Sequence, residues 1–212
     1  MNEIIFWNVD TQKDFMLKEG KLYIPGAEEI IPNLRILTEL ANKLNIRVVN
    51  TADFHGKGDE ELSATPDFKN TFPEHCMVGT EGQAFIDETI PIYIDRSYYI
   101  QNYGHTLNLK TMDKARNVII HKNKFDVFQG NPWTDTIIKQ LAPQMVVVYG
   151  VATDVCVKFA VDGLLARNFK VLIVKDAIKG LGDCKKLIKD WNNGQVKTIR
   201  TSLLKDLLTM RN

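Results

Sequence analysis

Residues 145–167 read MVVVYGVATDVCVKFAVDGLLAR, and the fold follows from how this stretch divides. Residues 145–150 (MVVVYG) form an apolar run of strand length, and Cys156 to Arg167 reads as a helix. Only the turn Gly150-Val-Ala-Thr-Asp-Val-Cys156 separates them. A strand without polar alternation, followed at once by a helix, is the unit of a parallel sheet covered on both faces. The same alternation extends upstream. Residues 4–9 (IIFWNV) make a strand that ends at Asp10. Ile30, Leu34, Leu37, Ala41 and Leu44 recur at helical spacing, with Pro32 either in the first turn of that segment or at a break between two pieces. Ile46 opens a second strand that runs into Thr51-Ala-Asp53, and residues 118–121 (VIIH) form a third that leads to Lys122. Downstream lie a strand from Lys170 to Val174, a helix from Cys184 to Trp191 and a short strand from Gln195 to Ile199. A closing helix spans Thr201 to Met210, capped by Thr201 or Ser202. The pattern predicts an α/β fold: one three-layer α/β/α domain over residues 1–212, with a mostly parallel sheet of about six strands.

Residues 54–117 break the alternation. They begin polar and irregular, and later turn aromatic (PIYIDRSYYIQNYG). A long segment of this kind inside a domain is usually functional, and its aromatics exclude disorder. It is expected to be a loop-rich insertion that folds over the strand ends or against another subunit of a homo-oligomer.

Composition narrows the function classes. The 212 residues are 44% hydrophobic and 25% charged, with 27 Lys+Arg against 26 Asp+Glu. A net charge of +1 gives no overall field for nucleic acid or an anionic membrane. No apolar run has the length of a membrane span, and the first residues (MNEIIFWNVD) lack the basic start of a secretion signal. Three widely spaced cysteines, at 76, 156 and 184, do not make a disulfide framework. The expected location is the cytoplasm, where a cysteine is more often catalytic or metal-binding than bridged.

In an open parallel sheet, ligands bind outside the carboxyl ends of the strands. Asp10, Asp53 and Lys122 each end a strand, and Cys156 lies just past the fourth. Four reactive side chains far apart in sequence are thereby brought to one rim. A thiol in the first turn of a helix feels the positive end of the helix dipole, which favours thiolate. Asp10 could take its proton, and the N–H groups of the turn could hold an oxyanion. Cys156 could equally be a small buried hydrophobe. Asp53-x-His55, with His75 twenty residues on, suits zinc, iron or manganese with open positions for water or substrate. The plainer alternative is polar loop residues bonded to backbone. Cys76, beside His75, reads as a buried structural thiol.

These residues also fall in the order of a known family. Asp10-x-Gln12-x-Asp14-Phe15, Asp53-x-His55, Pro73-x-His75-Cys76-x-x-Gly79-Thr80-x-Gly82, Lys122-x-x-Phe125-x-x-Phe128 and Gly150-Val-Ala-Thr-Asp-Val-Cys156 together resemble the isochorismatase-like cysteine hydrolases, most of all the nicotinamidases. The correspondence runs from about residue 4 to Asp176-Ala177. The resemblance implies a catalytic set of Asp10, Lys122 and Cys156, and a cis peptide between Val151 and Ala152. It places the oxyanion hole on the N–H groups of Ala152 and Cys156. It implies a divalent metal on Asp53, His55 and His75, zinc first and iron or manganese as alternatives, and Phe15 and Phe72 against the substrate ring. The implied reaction is hydrolysis of a small amide, nicotinamide to nicotinate and ammonia, through a Cys thioester. The alternative is a related carbon–nitrogen hydrolase acting on a carbamoyl or ureido compound. Asp126, in Phe125-Asp-Val-Phe128, departs from the family pattern and is expected near the site, where it would alter substrate preference.

Overall fold

A computed structural model describes residues 4–92, 94–104, 106–191 and 196–210. Seven parallel strands form one sheet. They are β1 (Ile4–Val9), β2 (Arg47–Asp53), β3 (Ser97–Ile100), β4 (Asn117–Lys122), β5 (Met145–Val151), β6 (Val171–Lys179) and β7 (Val196–Ile199), in the order β3-β4-β2-β1-β5-β6-β7. The helices are α1 (Lys13–Met16), α2 (Ile31–Lys43), α3 (Leu109–Met112), α4 (Val127–Gly130), α5 (Thr134–Leu141), α6 (Cys156–Ala166), α7 (Lys185–Trp191) and α8 (Thr201–Thr209).

Successive strand residues face opposite sides of the sheet, so one apolar run feeds two cores. Ile5, Trp7, Val9, Val146 and Val148 pack with α3 to α7, whereas Phe6, Val147, Tyr149 and Val151 pack with α1, α2 and α8. This is the expected three-layer α/β/α arrangement. On α2, Leu34, Leu37, Leu40 and Ala41 are buried, and Pro32 sits in the first turn, where its missing N–H costs no helical bond.

The sheet holds one strand more than the six expected. The addition is β3, an edge strand of four residues inside the segment read as irregular, paired Ser97 to Asn117 through Ile100 to Ile120. Its alternation is too short to register against the surrounding tyrosines. Strand β6 is also longer than Lys170–Val174, because its register against β5 jumps from Val148↔Ile173 to Gly150↔Ile178. The bulged Asp176 accepts hydrogen bonds from both the N–H and the hydroxyl of Thr201, at 2.8 and 2.9 Å. The start of α8 is therefore capped by a distant carboxylate, and neither Thr201 nor Ser202 is the cap. Gln195, placed at the start of the last strand, lies outside the described residues.

The strand order reverses beside β1, which lies between β2 and β5, and the crevice at their carboxyl ends is where such sheets bind ligands. Gly150, at φ +117°, lets β5 approach β1 there. A Cβ on it would lie 2.1 Å from the Val9 carbonyl oxygen.

Candidate active site

Parallel pairing sets Asp53 beside Lys122 at the ends of β2 and β4, and Val9 beside Gly150 at the ends of β1 and β5. Asp10 then turns out of β1 at φ +46°, a left-handed conformation unusual for a residue with a side chain. Its carboxylate is fully buried; Oδ1 accepts from the Thr51 hydroxyl at 2.5 Å, and Oδ2 lies 2.9 Å from Lys122 Nζ. The Lys122 ammonium also donates to Asp53 Oδ1 and lies 3.6 Å from Cys156 Sγ. Asp10, Asp53 and Cys156 each present an atom within 4.8 Å of the others. Lys124, two residues on, reaches instead to Glu60 at the surface, 3.1 Å away.

Burial pushes the Cys156 thiol well above its ordinary pKa; Lys122 offsets part of this, and Asp10 and Asp53 add to it. Burial beside two carboxylates thus opposes the thiolate that the helix dipole favours. Burial likewise raises Asp10, with Lys122 pulling the other way. Burial alone would lower Lys122, but Asp10, Asp53 and Cys156 outweigh it and hold the ammonium charged. At Asp53 burial is overcome by the Lys122 charge and by the neighbouring His55 and His75, so its carboxyl stays well below the usual range.

The remaining Asp53 oxygen, Oδ2, lies 3.8 Å from His55 Nε2 and 3.5 Å from His75 Nε2. His75 Nδ1 faces the Pro73 carbonyl at 2.7 Å, an oxygen that can only accept, and so carries the proton. His55 Nδ1 faces the Asp59 carboxylate at 3.2 Å, which assigns its proton in the same way. Both Nε2 atoms are thereby turned toward Asp53, and His55 Nε2 is buried without a hydrogen-bond partner. Neutral imidazoles whose second nitrogens are anchored by carbonyl or carboxylate are the usual donors of a metal site. Separations of 3.5 and 3.8 Å suit atoms bound to one ion at about 2.0–2.2 Å each. Asp53, His55 and His75 thus form a buried group able to hold a divalent metal.

An open cavity faces this cluster, with about 340 Å³ of free space when its solvent-filled mouth is included, lined by Phe15, Phe72, Asp53, His75, Ala152 and Cys156 together with Leu22, Ile24, Phe125, Val155 and Leu181. The Phe15 ring lies 5.3 Å from that of His75, and Phe72 meets Phe125 edge-on at 5.6 Å. The Val151–Ala152 peptide is cis, and Cys156 is the first residue of α6, where an N–H has no intrahelical acceptor. Asp126, expected near the site, is not among the lining residues; it caps α4 by accepting from the Phe128 N–H at 2.9 Å.

Three side chains that hold this arrangement were not assigned a role from sequence. Gln12 grips Asp53 by its main chain: Oε1 accepts from the Asp53 N–H at 2.7 Å, and Nε2 donates to the Asp53 carbonyl at 2.8 Å. Asp14 accepts from the Cys76 N–H at 2.7 Å, fixing the residue after His75, and packs so tightly on Gly82 that a Cβ there would lie 2.1 Å from its carboxylate. Asp59 accepts from the Gly56 N–H at 2.9 Å while facing His55. The motif spacing marks Gln12 and Asp14, but their partners are backbone groups far along the chain, which no pattern reveals.

Fold and motif order resemble those of the isochorismatase-like hydrolases, and an isochorismatase domain matches residues 100–188. The nicotinamidase/pyrazinamidase of Mycobacterium tuberculosis (strain ATCC 25618 / H37Rv) is 26% identical over 175 residues, covering 82% of this chain and 84% of that protein. In structure, the pyrazinamidase of Pyrococcus horikoshii in complex with zinc superposes with a TM-score of 0.70 at 24% identity, over 93% of this chain and 99% of that one. The N-carbamoylsarcosine amidase of Thermoplasma acidophilum gives 0.71 at 22% identity, over 95% and 97%. At these identities the two structures establish the fold alone. Among the described residues, no helix is long and apolar enough to cross a membrane.

Proposed function

We propose that the chain is a cysteine amidohydrolase of the nicotinamidase type, converting nicotinamide and water to nicotinate and ammonia. The observation that carries this reading is the meeting of two features in one apolar cavity: the Cys156 thiol, and the Asp53–His55–His75 group, two of whose members line the wall. An aromatic amide with a ring nitrogen is the substrate that uses both. Among the described residues no lysine or arginine lines the cavity, so apart from the metal it offers no cation to the carboxylate of a carbamoyl or ureido acid, the substrate of the second reading.

Asp10, raised by burial and close to the thiol, takes the Cys156 proton as sulfur attacks the amide carbon. The Lys122 ammonium stabilises the negative charge on sulfur and keeps Asp10 in place. The oxyanion is held by the N–H groups of Ala152 and Cys156. Asp10 returns the proton to the departing nitrogen, ammonia leaves, and a Cys156 thioester remains. Water then gives a proton to Asp10 and its oxygen to the acyl carbon, releasing the acid and restoring the thiol. Asp53, His55 and His75 would hold the metal, zinc first; when bound, it supplies a Lewis-acid contact for the ring nitrogen. Phe15 and Phe72 flank the ring and exclude water.

Ammonia release from nicotinamide, pyrazinamide, benzamide, N-carbamoylsarcosine and ureidoacrylate tests the reading. The two amides with a ring nitrogen should be the best substrates. Faster turnover of either carbamoyl or ureido acid would replace this reading with the second.

A further inference from the structure

The apolar lining of the cavity continues outward onto side chains that are open to solvent. Leu181 lines the cavity and is 40% exposed. Phe125, also in the lining, stacks on Phe159 at 6.4 Å between centroids, and Phe159 is 37% exposed. Phe72 meets Phe68 edge-on at 6.1 Å, and Phe68 is 65% exposed. One exposed hydrophobe needs no explanation, but several adjoining one opening mark a ligand surface.

The backbone that carries two of these side chains is held by dedicated hydrogen bonds. The N–H groups of Leu181 and Gly182 donate to the two oxygens of Asp154, at 2.9 and 3.0 Å. Asp154 lies two residues before Cys156, so Leu181 is tied to the turn that carries the thiol. Phe68 sits at φ +53°, unfavourable for a bulky side chain, in a turn imposed by Asp67. Asp67 Oδ1 accepts from the N–H groups of Lys69, Asn70 and Thr71 at 2.9, 2.7 and 2.8 Å. The neighbouring charges are paired: Lys158, 5.7 Å from the Phe159 ring centroid, with Asp162 at 2.6 Å, and Lys124 with Glu60 at 3.1 Å.

We propose that Leu181, Phe159 and Phe68 form an outer subsite that receives an uncharged, apolar substituent on the ring of the amide substrate. The preferred substrates are then substituted ring carboxamides, larger than nicotinamide itself. The inference rests on the function proposed for the inner cavity. Leu181 is the residue that belongs to both surfaces, lining the inner cavity and standing open to solvent, so a ring substituent that contacts it would bridge the two.

The test compares kcat/KM for nicotinamide with that for the better of 5-propyl- and 6-propylnicotinamide. The wild-type chain should prefer the propyl compound by on the order of tenfold, the gain from burying about two methylene groups. Leu181→Ser and, independently, Phe159→Ser should bring that ratio close to one through KM, while Leu203→Ser on the remote helix α8 should leave it unchanged. A wild-type ratio at or below one overturns the subsite, as does a ratio that survives both substitutions; nicotinamide turnover would stand in either case. If neither compound is hydrolysed, the reading of the inner site falls and takes the subsite with it.

Discussion

Asp53 and Lys122 are cross-strand neighbours at the ends of β2 and β4, and their buried ion pair joins the thiol cluster to the metal-binding group. One Asp53 oxygen pairs with the ammonium and the other faces both histidines. Lys122 in turn touches Asp10 and Cys156. Neither cluster can be altered without disturbing the other.

Removing the shared cation should therefore cost both fold and activity. Lys122→Met leaves Asp10 and Asp53 buried without their counter-charge, a loss of about 3–5 kcal/mol. Thermal melting should fall by roughly 2–4 °C per kcal/mol, with kcat reduced at least about a thousandfold. Lys124→Met removes only a surface pair worth about 0–1 kcal/mol and should leave kcat within about twofold. A larger kcat loss at Lys124 would assign the wrong lysine to the site.

Asp59 and Gln12 act on the metal-binding group from outside it, Asp59 through the His55 ring and Gln12 through the Asp53 backbone. Asp59→Asn and Gln12→Ala should each weaken zinc binding by about 10–100-fold, the usual effect of losing such a support, as read by chelator competition. Gln12→Ala should lower kcat as well, since Asp53 also holds Lys122. Unchanged zinc affinity in both variants would remove them from this role.

Glu61 is pushed up to about 7 by burial, against the hydrogen bond from the Phe125 N–H. A carboxyl whose folded value is raised contributes its stability below the unfolded value and loses it as pH rises through the folded one. The contribution should thus fade between about 4.5 and about 7. Glu61→Gln stays neutral and keeps the acceptor oxygen, so its melting temperature relative to wild type should rise between pH 4.5 and pH 8. A difference that does not change with pH would show that Glu61 is not desolvated.

Much of this arrangement was legible in the sequence because it depends on strand ends. Residues 4–9 are apolar at every position except Asn8 and stop at Asp10, and β1 has those same bounds. The carboxyl ends of β2, β4 and β5 then bring Asp53, Lys122 and the Cys156 turn to one rim. The missing parts have physical causes. Strand β3 is an edge strand whose only described strand neighbour is β4. Leu22, Ile24 and Leu181 reach the cavity from loops, where no periodicity points inward. Burial and two carboxylates brought from elsewhere in the chain act on the Cys156 thiol against the helix start, and neither is visible in the local sequence. Asp126 stands out in sequence as a departure from the family pattern, but it does not line the cavity, and the local turn uses its carboxylate as a cap.

The central claim is that Cys156 carries the acyl group. Rapid acid quench of the zinc-loaded protein with nicotinamide, followed by peptide mass spectrometry, tests it directly. The account predicts a nicotinoyl adduct on the peptide bearing Cys156, and no adduct or ammonia release from a folded Cys156→Ala protein. Ammonia release by the Cys156→Ala protein, or an adduct confined to Cys76 or Cys184, would contradict it.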